Sequence, residues 1–243
     1  MMRISETVKH LIIINVIMFI GTLFIGNGVL FFDLFAMHFP KNEAFQPWQI
    51  ITHMFIHGGF QHLFFNMLML YFFGSMLESA IGRNKFLFLY ISAGLGALAL
   101  QMGEQYIRYL LMERQALDLG YSSSQVIQVF KEGKIFVDIG QDFNDIYRTI
   151  TFGASGAIMG VLAASAYVFP NAEIMLLFPP IPIKLKYLAV GMIGADLLSA
   201  ILTGTPLMAN SNVGYLAHVG GAITGFLIMY FWKKTQFNNN RWN

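Results

Sequence analysis

Two side chains in this sequence form the pairing needed for nucleophilic attack on a carbonyl. Ser155 lies in Gly153-Ala154-Ser155-Gly156 at the start of a small-residue apolar run, and His218 lies in Ala217-His218-Val219-Gly220-Gly221, roughly sixty residues later, inside another. A hydroxyl is a weak nucleophile until a neighbouring base takes its proton, and imidazole is the side chain suited to that at neutral pH. Both groups are costly in apolar surroundings, so each must meet a partner, line water or take part in chemistry. A second pair, His62 and Asn66, stands at i, i+4 spacing. Two polar nitrogens can thus aim at one point, as donors to an oxyanion must be arranged. His53 and His57 read as water-exposed positions near the start of the same helix. With Gln61 and Asn66 they are expected to line a polar recess that admits water. A metal centre is the rival reading of these histidines, and it is set aside because no H-E-x-x-H pattern or well-spaced third ligand accompanies them.

The elements that hold these groups are apolar. Hydrophobic residues make up 56% of the chain and charged residues 12%, against roughly 25% charged in a soluble domain. This composition predicts an all-α membrane protein. Six apolar segments stand near residues 10–32, 60–80, 86–102, 154–169, 187–203 and 213–232. About 20 helical residues cross about 30 Å of hydrocarbon. The fourth segment, bounded by Gly153 and Pro170, is short, so its helix must begin below one surface and place Ser155 in a cavity. The first could pass for a signal peptide, but its length and the bulky Phe31, Phe32 and Phe35 argue for a retained span. Arg3 and Lys9 precede span one, Arg83 and Lys85 follow span two, Lys184 and Lys186 follow span four, and Lys233, Lys234 and Arg241 end the chain. This alternation predicts both termini on the cytoplasmic side and Ser155 near the outer face. The net charge of +2 is accounted for by those loops and gives no reason to expect nucleic acid. With no cysteine, neither disulfides nor thiolate metal chemistry is available.

Small residues at four-residue spacing predict close helix contacts: Gly156 with Gly160, Ala217 with Gly221 and Gly225, and the Gly74, Glu78, Gly82 series. Glu78 reads as a structural tie at the cytoplasmic end of span two. Asp196, an acid within span five, reads as a polar anchor whose partner the sequence does not name. Residues 103–150 form an extended outer insertion between spans three and four. Tyr106, Ile107, Leu110, Leu111 and Leu117 predict an amphipathic continuation of span three, Ser122 through Lys131 a second short helix, and Ile135-Phe136-Val137 a β-like stretch. The insertion is expected to cap the outer face, and its place just before Ser155 suggests a part in admitting or selecting substrate.

With these motifs in order, the chain resembles the rhomboid intramembrane serine proteases. The resemblance rests on His62-Leu63-Phe64-Phe65-Asn66, the Gly74/Glu78/Gly82 pattern, Gly153-Ala154-Ser155-Gly156, Ile181-Pro182-Ile183-Lys184 and Ala217-His218-Val219-Gly220-Gly221. It implies one rhomboid-like domain over 1–243, a six-transmembrane-helix bundle. It further implies a Ser155–His218 dyad without an acidic third member, and oxyanion stabilisation by His62, Asn66 and the Ser155 amide. It implies no cofactor, and partners that are transmembrane protein substrates and the lipid bilayer, reached beside span five. The oligomeric state stays open, and a bacterial inner membrane is the expected location. Two positions depart from the family pattern. Met159 stands where many relatives carry an aromatic ring, and Gln49 follows Trp48 where many carry arginine. An inactive relative that binds membrane clients would share the fold, but such proteins typically lack the serine or histidine. A transporter would be expected to show paired intramembrane charges or inverted repeats, and neither is found.

Overall fold

The computed structural model describes residues 4–132, 134, 136–137, 139, 141–175, 180–202 and 214–239. Helix occupies each of the six apolar segments. The first, α1 (Glu6–Phe24), stops at the Gly26–Gly28 turn, so the span ends well short of residue 32, and Leu30–Phe35 forms a separate short helix, α2. A one-turn helix, α3 (Gln49–Thr52), precedes α4 (Phe60–Ile81), which contains a π-helical turn over Leu70–Gly74. Gly82 then turns the chain with φ +81°, a conformation in which glycine carries no steric penalty. A Cβ at Gly82 would meet nothing within 4 Å, so this residue serves the turn and not the helix packing that its spacing suggested.

The next helix, α5 (Arg83–Asp118), runs for 36 residues. That length, about 54 Å, carries it far beyond a hydrocarbon core, in accord with the stripe beginning at Tyr106. Two shorter helices follow, α6 (Ser123–Lys131) and α7 (Gln141–Arg148), and then α8 (Ser155–Val168), α9 (Leu185–Leu202) and α10 (Tyr215–Asn239). Among the described residues, α1, α4, α5 and α10 are long and apolar enough to cross a membrane. Helix α8, with 14 residues, is the short one the sequence anticipates. Residues Gly156 to Ser165 are all buried, so α8 is the central element of the bundle.

Its tightest neighbour is α10. A Cβ at Gly221 would collide with the Gly156 carbonyl and one at Gly225 with the Gly160 carbonyl, while a Cβ at Gly160 would lie 2.7 Å from the Gly221 oxygen. The two backbones therefore touch, as packing in lipid through small residues requires. Helix α5 closes another side, where a Cβ at Gly220 would lie 2.7 Å from the Gly96 oxygen.

The insertion has its own hydrophobic core. Tyr109, Val126, Phe130, Phe136, Phe143, Ile146 and Tyr147 gather around Phe39 of the first loop, with the Phe130 and Tyr147 rings stacked at 4.3 Å. Ion pairs link the same two segments, Lys131 to Glu43 at 2.7 Å and Lys41 to Glu113 at 3.6 Å. The insertion is thus interlocked with the first loop and is more than a cap. Helix α6 starts at the anticipated place through a capping box between Ser122 and Gln125. Phe136 and Val137 lie in no strand, and Ile135 lies outside the described residues; helix α7 is an element that the sequence reading did not include. Strand β1 (Met37–His38) pairs antiparallel with β2 (Ile150–Thr151), which draws the first loop against the entry to α8. A hairpin of β3 (Glu173–Met175) and β4 (Pro182–Lys184) joins α8 to α9.

Glu78 ties α4 to the start of α1. Its carboxylate accepts from the Thr7 and Val8 backbone amides at 3.1 Å each, from Thr7 Oγ1 at 2.6 Å and from the Ser5 hydroxyl. A carboxylate at a helix N-terminus satisfies donors that have no intrahelical acceptor and opposes the helix dipole. Glu78→Ala should therefore destabilise the bundle by about 2–3 kcal/mol, the cost of buried donors left unpaired. The expected readout is a lower thermal midpoint in detergent, with Glu78→Gln retaining part of the loss.

Candidate active site

Ser155 is the first residue of α8, and the turn before it is built around Gly153. That glycine has φ +117°, and a Cβ on it would press into the His62 ring, 2.9 Å from Cε1 and 3.1 Å from Nε2. Any larger residue would meet both backbone strain and a clash. The Gly153 amide donates to the His53 carbonyl at 2.9 Å, which anchors the turn to the first loop.

His218 lies in the first turn of α10, where the contact between α8 and α10 brings it over Ser155. Its Nε2 is 2.8 Å from Ser155 Oγ, and its Nδ1 is 3.0 Å from Asp196 Oδ2 on α9. A carboxylate can only accept, so Nδ1 carries the proton and Nε2 is left to accept from the serine hydroxyl. The His218 and Asp196 side chains are each 16% exposed. Asp196, the polar anchor whose partner the sequence does not name, thus meets His218. One expectation is corrected: the imidazole has an acidic neighbour where the resemblance implies none. The signal was present as an acid within an apolar span, but which way it faced depended on how α9 packs.

His62 and Asn66 occupy one face of α4 and line the same cavity as Ser155 and His218, a space of about 1370 Å³. Asn66 is 6% exposed and its Nδ2 has no hydrogen-bond partner among the described residues. A buried, unpaired amide donor costs free energy unless something binds it. Met159 also lines this cavity. Gln61 and His53 join the lining, but His57 does not. His57 is 1% exposed, with its ring edge-on to His62 at 5.0 Å. The two histidines expected to be water-exposed are thus buried. His53 donates from Nδ1 to the Gln49 carbonyl, 2.9 Å away, and a carbonyl can only accept, which fixes Nδ1 as protonated. Burial pushes the His53 imidazole down to about 4, and burial with the nearby His62 pushes His57 down to about 3.

Gln49, the departure beside Trp48, is fully buried and holds the first loop together. Its amide nitrogen donates to the Asp33 and Ala44 carbonyls, each at 3.0 Å, and its oxygen accepts from the Gln46 amide at 3.1 Å and the His38 amide at 3.3 Å. Gly156, Gly221 and Gly225 set the helix spacing, and Glu78 acts at a distance from the cavity. A polar wall of Gln101, Gln105, Arg108 and Arg148 was not anticipated. Residues 101, 105 and 108 share one face of α5, a pattern available in the sequence.

A family model described as Rhomboid domain matches residues 44–235. The chain is 32% identical over 188 residues to Rhomboid protease AarA of Providencia stuartii, covering 74% of this chain and 54% of that protein. It is 30% identical over 173 residues to RHOMBOID-like protein 12, mitochondrial, of Arabidopsis thaliana, covering 71% and 43%. It is 25% identical over 185 residues to Putative rhomboid protease YdcA of Bacillus subtilis, covering 75% and 66%. The chain spans about half the length of the first two of these curated relatives.

The two buried histidines make the fold acid-sensitive. Each has a folded value below the ordinary 6.5, so the unfolded chain binds protons there first and stability falls as pH drops below about 6.5. The decline continues to about 4 for His53 and about 3 for His57. At pH 5 each should cost about 2 kcal/mol. Thermal midpoints measured in detergent between pH 7.5 and 5 should fall accordingly, and His57→Leu should flatten that fall.

Proposed function

Because the chain belongs to the rhomboid family, we propose that this integral membrane protein is an intramembrane serine protease, with Ser155 as nucleophile and His218 as general base. The observation that carries the reading is the 2.8 Å approach of Ser155 Oγ to His218 Nε2 in a cavity also lined by His62 and Asn66. The serine oxygen bonds to the scissile carbonyl carbon as its proton passes to Nε2. The carbonyl oxygen becomes an oxyanion. Asn66 Nδ2, free to donate, and His62 stabilise it from α4. The Ser155 amide adds a third donor, because the first turn of a helix has amides without intrahelical acceptors. The imidazolium returns its proton to the leaving amine, and water then attacks the acyl-enzyme with Nε2 as base.

The substrate class is a membrane protein cut in or next to a transmembrane segment. A helical peptide bond engages its carbonyl in the i to i−4 ladder, so the client must unwind locally, and small or helix-breaking residues near its outer end favour that. Entry beside α9 is supported by its apolar outward face, where Val190 is 71% and Ile201 67% exposed. The distribution of Lys and Arg supports cytoplasmic termini, in a bacterial inner membrane. The insertion, through Gln105, Arg108 and Arg148 in the cavity wall, is placed to influence which clients are cut.

A serine-directed phosphonate or isocoumarin should label the native chain and not Ser155→Ala, and cleavage of membrane-anchored fragments should be lost in the same variant. Persistent labelling of Ser155→Ala would remove Ser155 as nucleophile. Asn66→Ala should lower kcat by about 10²–10³-fold, the effect of losing one oxyanion donor, measured on a fragment cleaved by the parent.

A further inference from the structure

We infer that Asp196 is a positioning residue for catalysis, holding His218 in the tautomer that can accept the serine proton; this rests on the assignment of Ser155 and His218 above. Three helices contribute one group each: Asp196 from α9, His218 from α10 and Ser155 from α8. The distances, 3.0 Å from Oδ2 to Nδ1 and 2.8 Å from Nε2 to Oγ, form a continuous relay. Neutral imidazole carries one proton on either nitrogen, and only the Nδ1–H form leaves Nε2 able to act as base. A carboxylate at Nδ1 selects that form.

The same carboxylate answers the charge that the reaction creates. When Ser155 Oγ bonds to the carbonyl carbon, its proton moves to Nε2 and the ring becomes a cation, with the Nδ1–H proton still shared with Asp196. A negative charge 3.0 Å away is worth more to that cation than to the neutral ring.

The surroundings of α9 argue that this contact is specific and not incidental to dense packing. The glycines of α8 and α10 are pressed against neighbouring backbone, yet a Cβ at Gly191 or Gly194 of α9 would meet nothing within 4 Å. The outward side of α9 is exposed at Val190, Leu197, Leu198 and Ile201. An acid on a loosely packed apolar helix nevertheless faces the one imidazole that the site requires. A polar group in such a helix is costly unless it has a partner or a task, and here it has both.

The test compares Ser155→Ala, Asp196→Asn and Asp196→Glu in the full chain, using a cleaved membrane-anchored fragment, a small phosphonate and thermal midpoints. Asp196→Asn should lower kcat by about 10²–10⁴-fold with KM changed less than about threefold, as for loss of the acid in other serine–histidine–acid sites. It should slow phosphonate labelling in parallel while leaving the thermal midpoint near that of the parent, and Asp196→Glu should recover part of the loss. The downfield imidazole N–H proton resonance of the parent should vanish in Asp196→Asn. If Asp196→Asn cleaves within about threefold of the parent while Ser155→Ala is inactive, the inference about Asp196 is overturned and the serine assignment stands. If Ser155→Ala still cleaves, the serine assignment fails and the role of Asp196 falls with it. Should Asp196→Asn not fold, normal turnover by Asp196→Glu together with a retained downfield resonance supports the inference, and normal turnover without that resonance overturns it.

Discussion

The contact of α8 with α10 at the level of bare backbone is the constraint from which the site follows. Lipid offers no hydrophobic reward for bringing two helices together, so approach must come from van der Waals contact between surfaces without side chains. Gly156 and Gly160 on one helix face Gly221 and Gly225 on the other, and a methyl group at Gly221 or Gly225 would run into a carbonyl. At that separation His218, three residues before Gly221, reaches Ser155, one before Gly156. A bundle held by larger residues would place the same pair too far apart to share a proton. The glycines thus set the distance between Ser155 and His218.

A second constraint concerns the irregular backbone that must stand beside that pair. Non-helical chain at membrane depth is tolerated only where protein or water satisfies its polar groups. The first loop meets this condition through Gln49, whose amide uses two donors and two acceptances on four loop residues. Thr52 and Trp48 add hydrogen bonds to the Phe35 and Leu34 carbonyls. The loop is then pinned at its far side by β1–β2 pairing and by Phe39, which is enclosed by the insertion. Three different kinds of interaction thus converge on the turn holding Gly153. Gln49, a neutral amide, thus ties the first loop together through four hydrogen bonds.

The parts of this arrangement legible in the sequence are those set by local spacing. Ser155 and His218 announce themselves as polar groups among small residues, and His62 and Asn66 share a helix face by arithmetic. Glu78 was readable for the same reason, since an acid at the end of an apolar span has few uses. What was not legible depends on rotation and enclosure. Asp196 could face any direction around α9, and its neighbour is chosen by packing angle. His53 and His57 stand among apolar neighbours, Ile50, Met54, Phe55 and Ile56, but their enclosure depends on contacts between distant segments, such as that of the His53 carbonyl with the Gly153 amide at 2.9 Å. Helix α7 has apolar residues at 143, 146 and 147, a face too short to stand out beside glycine and acidic neighbours. Gly82 shows the opposite error, in which a regular spacing suggested packing and the backbone conformation supplied the real reason.

Placing Asp196 on α9 ties the imidazole to a helix whose glycines are in open space. A Cβ at Gly191 or Gly194 would meet nothing within 4 Å among the described residues, and the outward face of α9 is exposed at Val190 and Ile201. Lipid serves such a face as well as protein does, so polar contacts weigh more in fixing the rotation of the helix. The 3.0 Å contact of Asp196 with His218 is one of these, and a shift of about 1 Å would carry it out of hydrogen-bond range. The orientation of the ring over Ser155 therefore depends on how α9 docks as well as on the glycine contact between α8 and α10.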